Sequence, residues 1–136
     1  MTAMTALQCK LPDVTVTKPK GLAPRMFFHV YSGPNAIAFA QLSTLGGKQT
    51  RQRLSRNSQA EQVPAIRYCL KNIEVRQNYR NLGVGSALLK EIINFCQDEC
   101  VSAIYGEAKG EIESLRRWYR DKGFELDSVD NIRLSI

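Results

Sequence analysis

With 136 residues, 43% of them hydrophobic, the chain has the size of one ordinary domain and can bury a core without disulfide staples. No apolar run approaches the roughly 20 residues that span a bilayer, and Met1 to Lys10 lacks the basic-then-apolar layout of a secretory leader, so the expectation is a cytoplasmic protein with no membrane partner. The formal charge of +6 is uneven: residues 1–60 carry eight Lys and Arg against Asp13 alone, whereas residues 61–136 carry eleven against twelve Asp and Glu.

In chain order, residues 1–12 are expected to be frayed. Val14 to Thr17 alternates as a short strand, which Pro19, Gly21 and Pro24 end. Met26 to Tyr31 and Ala36 to Leu45 read as two strands joined by the turn Ser32-Gly33-Pro34-Asn35. Residues 46–62 are polar all round and read as a basic loop. Ala65 to Val75 is the next strand. Val84 to Glu99 is helical, with Val84, Leu88, Ile92, Phe95 and Cys96 on one face. Val101 to Glu107 is a strand and Glu111 to Lys122 a helix, stopped by Gly123 at C′. Phe124 to Leu126 and Ile132 to Ile136 close the chain as strands. No internal repeat or linker divides residues 1–136, so one domain is expected.

Basic charge is densest at Lys48, Arg51, Arg53 and Arg56. That stretch is either a solvated connection or a contact for an acidic or polyanionic partner. Its lack of aromatic residues argues against stacking on bases. Cys9, Cys69, Cys96 and Cys100 include no CxxC pair, and His29 is the only histidine, so no metal site is expected. A covalent route through Cys69, Cys96 or Cys100 would need His29 close by.

Arg80-Asn81-Leu82-Gly83-Val84-Gly85-Ser86 lies between a strand and a helix. Glycines there let the backbone turn with φ > 0 and approach an anion closely. The first N–H groups of the helix and its dipole face the same place. A Walker A loop is excluded, because Gly85 is followed by Ser86 and Ala87 rather than Lys-Ser/Thr. A dinucleotide turn is disfavoured: Leu88 replaces the third glycine, and Arg76 to Leu82 separates the strand from Gly83.

The segment Val75 to Leu89 resembles the coenzyme A pyrophosphate loop of the GNAT superfamily of acetyl-CoA-dependent N-acetyltransferases. Arg80, Gly83 and Gly85 match its Arg/Gln-x-x-Gly-x-Gly/Ala pattern. Glu107-Ala108, Leu115 to Tyr119 and Lys122-Gly123-Phe124 resemble the family's second block. The chain departs from the pattern at Ile112, where an Asn is usual, and residues 18–62 lack the two amphipathic helices common after the first strand.

The resemblance implies an α/β (α+β) fold: a mixed, mostly antiparallel twisted sheet with a splayed parallel central pair and helices packed on it. It implies acetyl-CoA as acetyl donor, no metal, and a primary amine as acceptor. Arg80, Asn81, Leu82, Gly83, Val84, Gly85 and Ser86 would cradle the diphosphate. Backbone groups of Ile73 and Val75 would meet the pantetheine amides, with the Val75 N–H as oxyanion donor. Glu107 matches the position of a proposed base in ribosomal-protein-type members, with Glu74 as its rival. Tyr119 matches the Tyr beside the coenzyme sulfur. Three functions remain open: catalysis by direct attack in a ternary complex, a non-catalytic module holding coenzyme A or an acidic partner, and acetylation of an RNA-linked amine through the basic loop. Relatives commonly form dimers, so a homodimer is a further expectation.

Overall fold

The computed structural model describes residues 2–7, 9–44, 66–109 and 112–136. Its strands are β1 (Thr2–Ala6), β2 (Val14–Pro19), β3 (Arg25–Ser32), β4 (Asn35–Ser43), β5 (Arg67–Val75), β6 (Ala103–Glu107), β7 (Glu125–Leu126) and β8 (Asn131–Ser135). They form one sheet in the order β1-β2-β3-β4-β5-β6-β8-β7. Every pairing is antiparallel except β5 with β6. A parallel pair needs a crossover, and helix α1 (Val84–Asp98) supplies it. Helix α2 (Ile112–Asp121) follows β6.

Period-two alternation sorts β2 to β4 onto two faces. Val14, Val16, Met26, Phe28, Val30, Ala38, Ala40 and Leu42 are buried and lie on the face that α1 covers. Leu88, Leu89, Ile92, Phe95 and Cys96 on α1 are buried in the same core. The Phe95 ring meets Phe28 edge-on at 5.4 Å between centroids. Burying a side chain such as Phe28 stabilises the fold by about 1.5–3 kcal/mol. The far face carries Thr15, Thr17, Phe27, His29, Tyr31 and Phe39, aligned across the strands by the pairs Thr15↔Tyr31, Thr17↔His29 and His29↔Phe39.

Two features of β5 and β6 determine how far these strands stay together. Against β4, Gln41 pairs with Asn72 and Leu42 with Leu70, so Lys71 is bulged out of register. Against β6, pairing runs from Arg67↔Ala103 to Leu70↔Gly106 and stops there, although β5 continues to Val75. A bulge bends its strand and turns it from its neighbour. At the last rung a Cβ on Gly106 would stand 2.9 Å from the Leu70 carbonyl oxygen. A side chain there would force the backbone to shift, so this rung favours glycine.

The start of the chain corrects one expectation. Residues 1–12 are not simply frayed: β1 pairs with β2 from Thr2↔Pro19 to Ala6↔Thr15. The Leu7 amide then donates to the Val14 carbonyl at 2.8 Å, and Leu7 is buried. Backbone pairing with an already formed strand holds this segment, and an apolar pattern does not reveal such pairing. The expected basic loop at 46–62, with Lys48, Arg51, Arg53 and Arg56, lies outside the described residues. In the stretch that lacks amphipathic helices, residues 18–44 carry strands.

Gly106→Ala should cost roughly 1–3 kcal/mol, the usual range for overpacking, read as a lower urea midpoint at unchanged m-value. An unchanged midpoint would show that the strands part without that close approach.

Candidate functional site

The chain leaves β5 at Val75, and the Arg76 amide donates to the Ile37 carbonyl at 2.8 Å. A single 3-10 turn comes next at Gln77–Tyr79. Asn81 and Gly83 then take left-handed conformations, φ 65° and 82°. Gly83 caps α1, and the first helical bond runs from the Ala87 amide to the Gly83 carbonyl at 3.0 Å. The Val84, Gly85 and Ser86 amides accordingly have no acceptor within the helix, and the positive end of its dipole adds to them. They open on a cavity of about 410 Å³ lined also by Val75, Tyr79, Arg80 and Trp118. Such a cradle suits an anion.

Arg80 is not free: its Nε donates to the Val75 carbonyl at 3.0 Å and ties the turn to the strand end. Trp118 is a wall of the cavity, and its Nε1 donates to the Ser86 hydroxyl at 3.0 Å. A Cβ on Gly85 would meet Val75 Cγ2 at 3.5 Å and Trp118 Cζ2 at 3.8 Å, which is ordinary contact. Lys10 also lines the cavity, and its amide donates to the Leu82 carbonyl at 3.0 Å. Nothing in the sequence pattern marks Lys10; the β1–β2 pairing brings it here.

Beside the cradle the sheet is split. The Arg76–Ile37 bond fixes the phase of the β4–β5 ladder. In an antiparallel ladder, backbone groups alternate between the two sides of a strand. Glu74 thus turns its N–H and C=O to Phe39, while Ile73 and Val75 turn theirs toward the side of β6. Beyond Leu70, β6 pairs with β5 no further, and the Val75 carbonyl takes the Arg80 side chain. Backbone donors along this edge can receive an extended polar chain as a strand would.

The two candidate carboxylates flank the split. Glu74 is paired with Phe39 on the far face. Strand alternation places Glu107 on that face too, with Tyr105 and Cys69. Both carboxylates are exposed. Glu74, His29, Phe39, Arg76 and Arg80 line a second cavity of about 530 Å³.

Trp118 and Tyr119 stand in different surroundings: Trp118 is on the cavity wall. Tyr119 is 4% exposed, with Trp118 and Phe124 edge-on at 4.9 and 5.3 Å. Adjacent residues on a helix lie about 100° apart, so the two rings face different surroundings. Burial pushes the Tyr119 phenol up to about 12. The same cause pushes the Cys96 thiol to about 12 and raises Cys69, which leaves both thiols protonated and poor nucleophiles. Among the described residues no cluster of three His, Cys, Asp or Glu could hold a metal ion, and no helix is long and apolar enough to cross a membrane.

The family model for acetyltransferase (GNAT) domains matches residues 7–124. The chain belongs to this family. An acetyltransferase of Elizabethkingia anophelis with acetyl-CoA bound shares the fold at TM-score 0.66 and 10% identity, covering 93% of this chain and all of its own. The ribosomal-protein alanine N-acetyltransferase of Escherichia coli superposes at 0.63 and 18% identity, covering 85% and 71%. PaiA N-acetyltransferase of Thermoplasma acidophilum, in complex with coenzyme A, gives 0.61 and 14%, covering 83% of this chain, which spans 62% of the Thermoplasma protein. No curated protein matches significantly. At these identities the likeness shows the GNAT fold.

Gly83→Val in this GNAT chain should weaken coenzyme A binding at least tenfold in calorimetry, because a β-branched residue is strained at φ 82°; unchanged affinity contradicts the cradle. Tyr119 has a higher pKa folded than unfolded, so its contribution to stability is complete below about pH 10 and is lost as pH rises toward about 12. Thermal melts should therefore show a smaller decline between pH 10 and 12 for Tyr119→Phe than for the wild type.

Proposed function

We propose that the protein is an acetyl-CoA-dependent N-acetyltransferase in which a primary amine attacks the thioester directly in a ternary complex. The observation that supports this most is the end of β5–β6 pairing at Leu70↔Gly106 next to the amide cradle of α1. Together they offer a site for an anion and, alongside, a slot for an amide-bearing arm. Two structural relatives, from Elizabethkingia and Thermoplasma, hold acetyl-CoA or coenzyme A.

In this reading the cradle Arg80, Asn81, Leu82, Gly83, Val84, Gly85 and Ser86 holds the diphosphate. Ile73 and Val75 hold the arm through backbone groups. Bound acetyl-CoA supplies a thioester carbonyl, and the Val75 N–H stabilises the charge that develops on its oxygen. A donor of this kind is worth about 2.7–4 kcal/mol. The acceptor approaches from the far face, where Glu74 and Glu107 lie. An amine attacks only when neutral, and its pKa is about 8 for an α-amine and about 10.4 for a lysine. Glu107 accepts the ammonium proton, directly or through water, with Glu74 as the alternative base. As the C–N bond forms and the C–S bond breaks, the nitrogen sheds a second proton to solvent and the sulfur takes one up from a donor that solvent then reprotonates. Tyr119 is the donor assigned to that sulfur. Burial keeps its phenol protonated across the physiological range.

Tyr119→Phe should lower kcat at least tenfold and leave coenzyme A affinity nearly unchanged; an equal loss in both would reduce Tyr119 to a packing residue. Glu107→Gln should lower kcat at least tenfold for the best acceptor and leave coenzyme A affinity nearly unchanged, whereas an unchanged kcat passes the role to Glu74. These measurements start from a thiol-release screen over small amines, peptides and aminoacyl-tRNA. Coenzyme A binding without release on any acceptor would favour a non-catalytic module.

A further inference from the structure

The cavity of about 530 Å³ on the far face, beside the split, has a lining unlike that of the cradle. One row crosses three strands there: His29 on β3 pairs with Phe39 on β4, and Phe39 with Glu74 on β5. The His29 and Phe39 rings lie 6.4 Å apart between centroids, inclined at 28°. Phe27, 44% exposed, stacks against His29 at 6.1 Å and extends the ring surface. Arg76 follows Glu74 by two residues and keeps an extended backbone, φ −60° and ψ 144°. Alternation therefore sends both side chains to the far face, roughly 7 Å apart at Cα. Both residues are exposed. The ion pairs among the described residues, Lys18–Glu91 and Arg116–Asp130, include neither of them. Arg80 brings a second guanidinium to the cavity, and its Nε already donates to the Val75 carbonyl.

Two guanidiniums against one carboxylate make a poor cavity for a bare amine, which arrives as an ammonium. An amine that carries its own anion is a better match. Glu74 and Arg76 stand side by side as opposite charges, and an α-amino acid presents an ammonium and a carboxylate on a single carbon. A peptide N-terminus, an alkylamine and a protein lysine lack that carboxylate. Arginine suits it, because the planar fork meets two oxygens at once. The ring wall accepts an aromatic side chain, offset or edge-on. We infer that the acceptor is a free α-amino acid with an aromatic side chain. Its carboxylate lies on Arg76, its ring against Phe39 and His29, and its α-amine between Glu74 and the split. The inference rests on the proposed acetyl transfer and names the class of acceptor. The C–N bond forms on the α-nitrogen and the C–S bond breaks. The products are the N-acetyl amino acid, the coenzyme A thiol and one proton released to solvent.

The test is calorimetry of L-phenylalanine, L-phenylalaninamide and L-alanine against the full chain saturated with coenzyme A. It compares the wild type with Arg76→Gln, Phe39→Ala and Lys20→Ala, the last a control at an exposed lysine that does not line the cavity. The wild type should bind L-phenylalanine about tenfold or more tightly than either comparator, as a charge-assisted pair allows. Arg76→Gln should bring the ratio of L-phenylalanine to its amide toward one by weakening L-phenylalanine alone. Phe39→Ala should do the same for the ratio to L-alanine, and Lys20→Ala should change neither. Unchanged coenzyme A affinity shows that a variant is folded; if Phe39→Ala does not fold, the exposed Arg76 still decides. Equal wild-type affinity for L-phenylalanine and its amide overturns the inference, and so does an unmoved ratio in Arg76→Gln. Thiol release separates the two readings. Release on alkylamines or peptides without binding of L-phenylalanine overturns the inference and leaves acetyl transfer standing. L-phenylalanine bound through Arg76 without release on any acceptor overturns acetyl transfer and leaves the amino-acid site standing.

Discussion

Everything proposed for this molecule depends on a ladder that stops early. β5 and β6 pair through Leu70↔Gly106 and then part, while β5 runs on to Val75. Backbone groups left inside a protein without partners are costly, so a fold that keeps such an edge open is poised for something else to fill it. Local chemistry maintains the opening. The bulge at Lys71 changes the phase of β5, and the absence of a side chain at Gly106 lets the last rung close tightly before the strands separate. Phase matters as much as opening: with the bulge, Ile73 and Val75 direct their backbone groups away from β4.

The open edge would be less informative without its neighbour. The turn that leaves β5 ends on the amides of Val84, Gly85 and Ser86, so an anion site and an amide-binding edge lie end to end. Side chains from distant parts of the sequence complete the surroundings. Trp118 reaches Ser86 from α2, and Lys10 reaches Leu82 from the segment after β1. The two carboxylates lie on the opposite face from α1, one on each side of the split. In the proposed reading, that arrangement separates the place for an anionic donor from the side on which an amine arrives.

Much of this was legible in the sequence, and the limits have physical causes. Strands β2 to β8 and both helices are evident from alternation and from 3.6-residue spacing. Gly123 ends α2 through bonds from the Phe124 amide to Tyr119 and from the Gly123 amide to Arg120, as its place after the periodic run predicts. The turn from Arg80 to Ser86 was visible because glycines at a strand–helix junction carry their own meaning. β1 was not, since its Thr and Ala residues show little alternation and its pairing partner holds it. Lys10 reached the site through that unseen pairing. The place of Trp118 on the cavity wall was not visible, because it neighbours Tyr119 in sequence and only the orientation of α2 decides which ring meets the core. Gly106 and Lys71 mark the split, but a single glycine and a single lysine in strand-like runs give no sign of it.

Amide hydrogen exchange with and without saturating coenzyme A tests the open edge directly. The account predicts that exchange at Ile73 and Val75, and at Val84, Gly85 and Ser86, slows sharply on binding, while amides within the β2–β3 ladder change little. Coenzyme A binding that leaves Ile73 and Val75 exchanging at their free rate would contradict it.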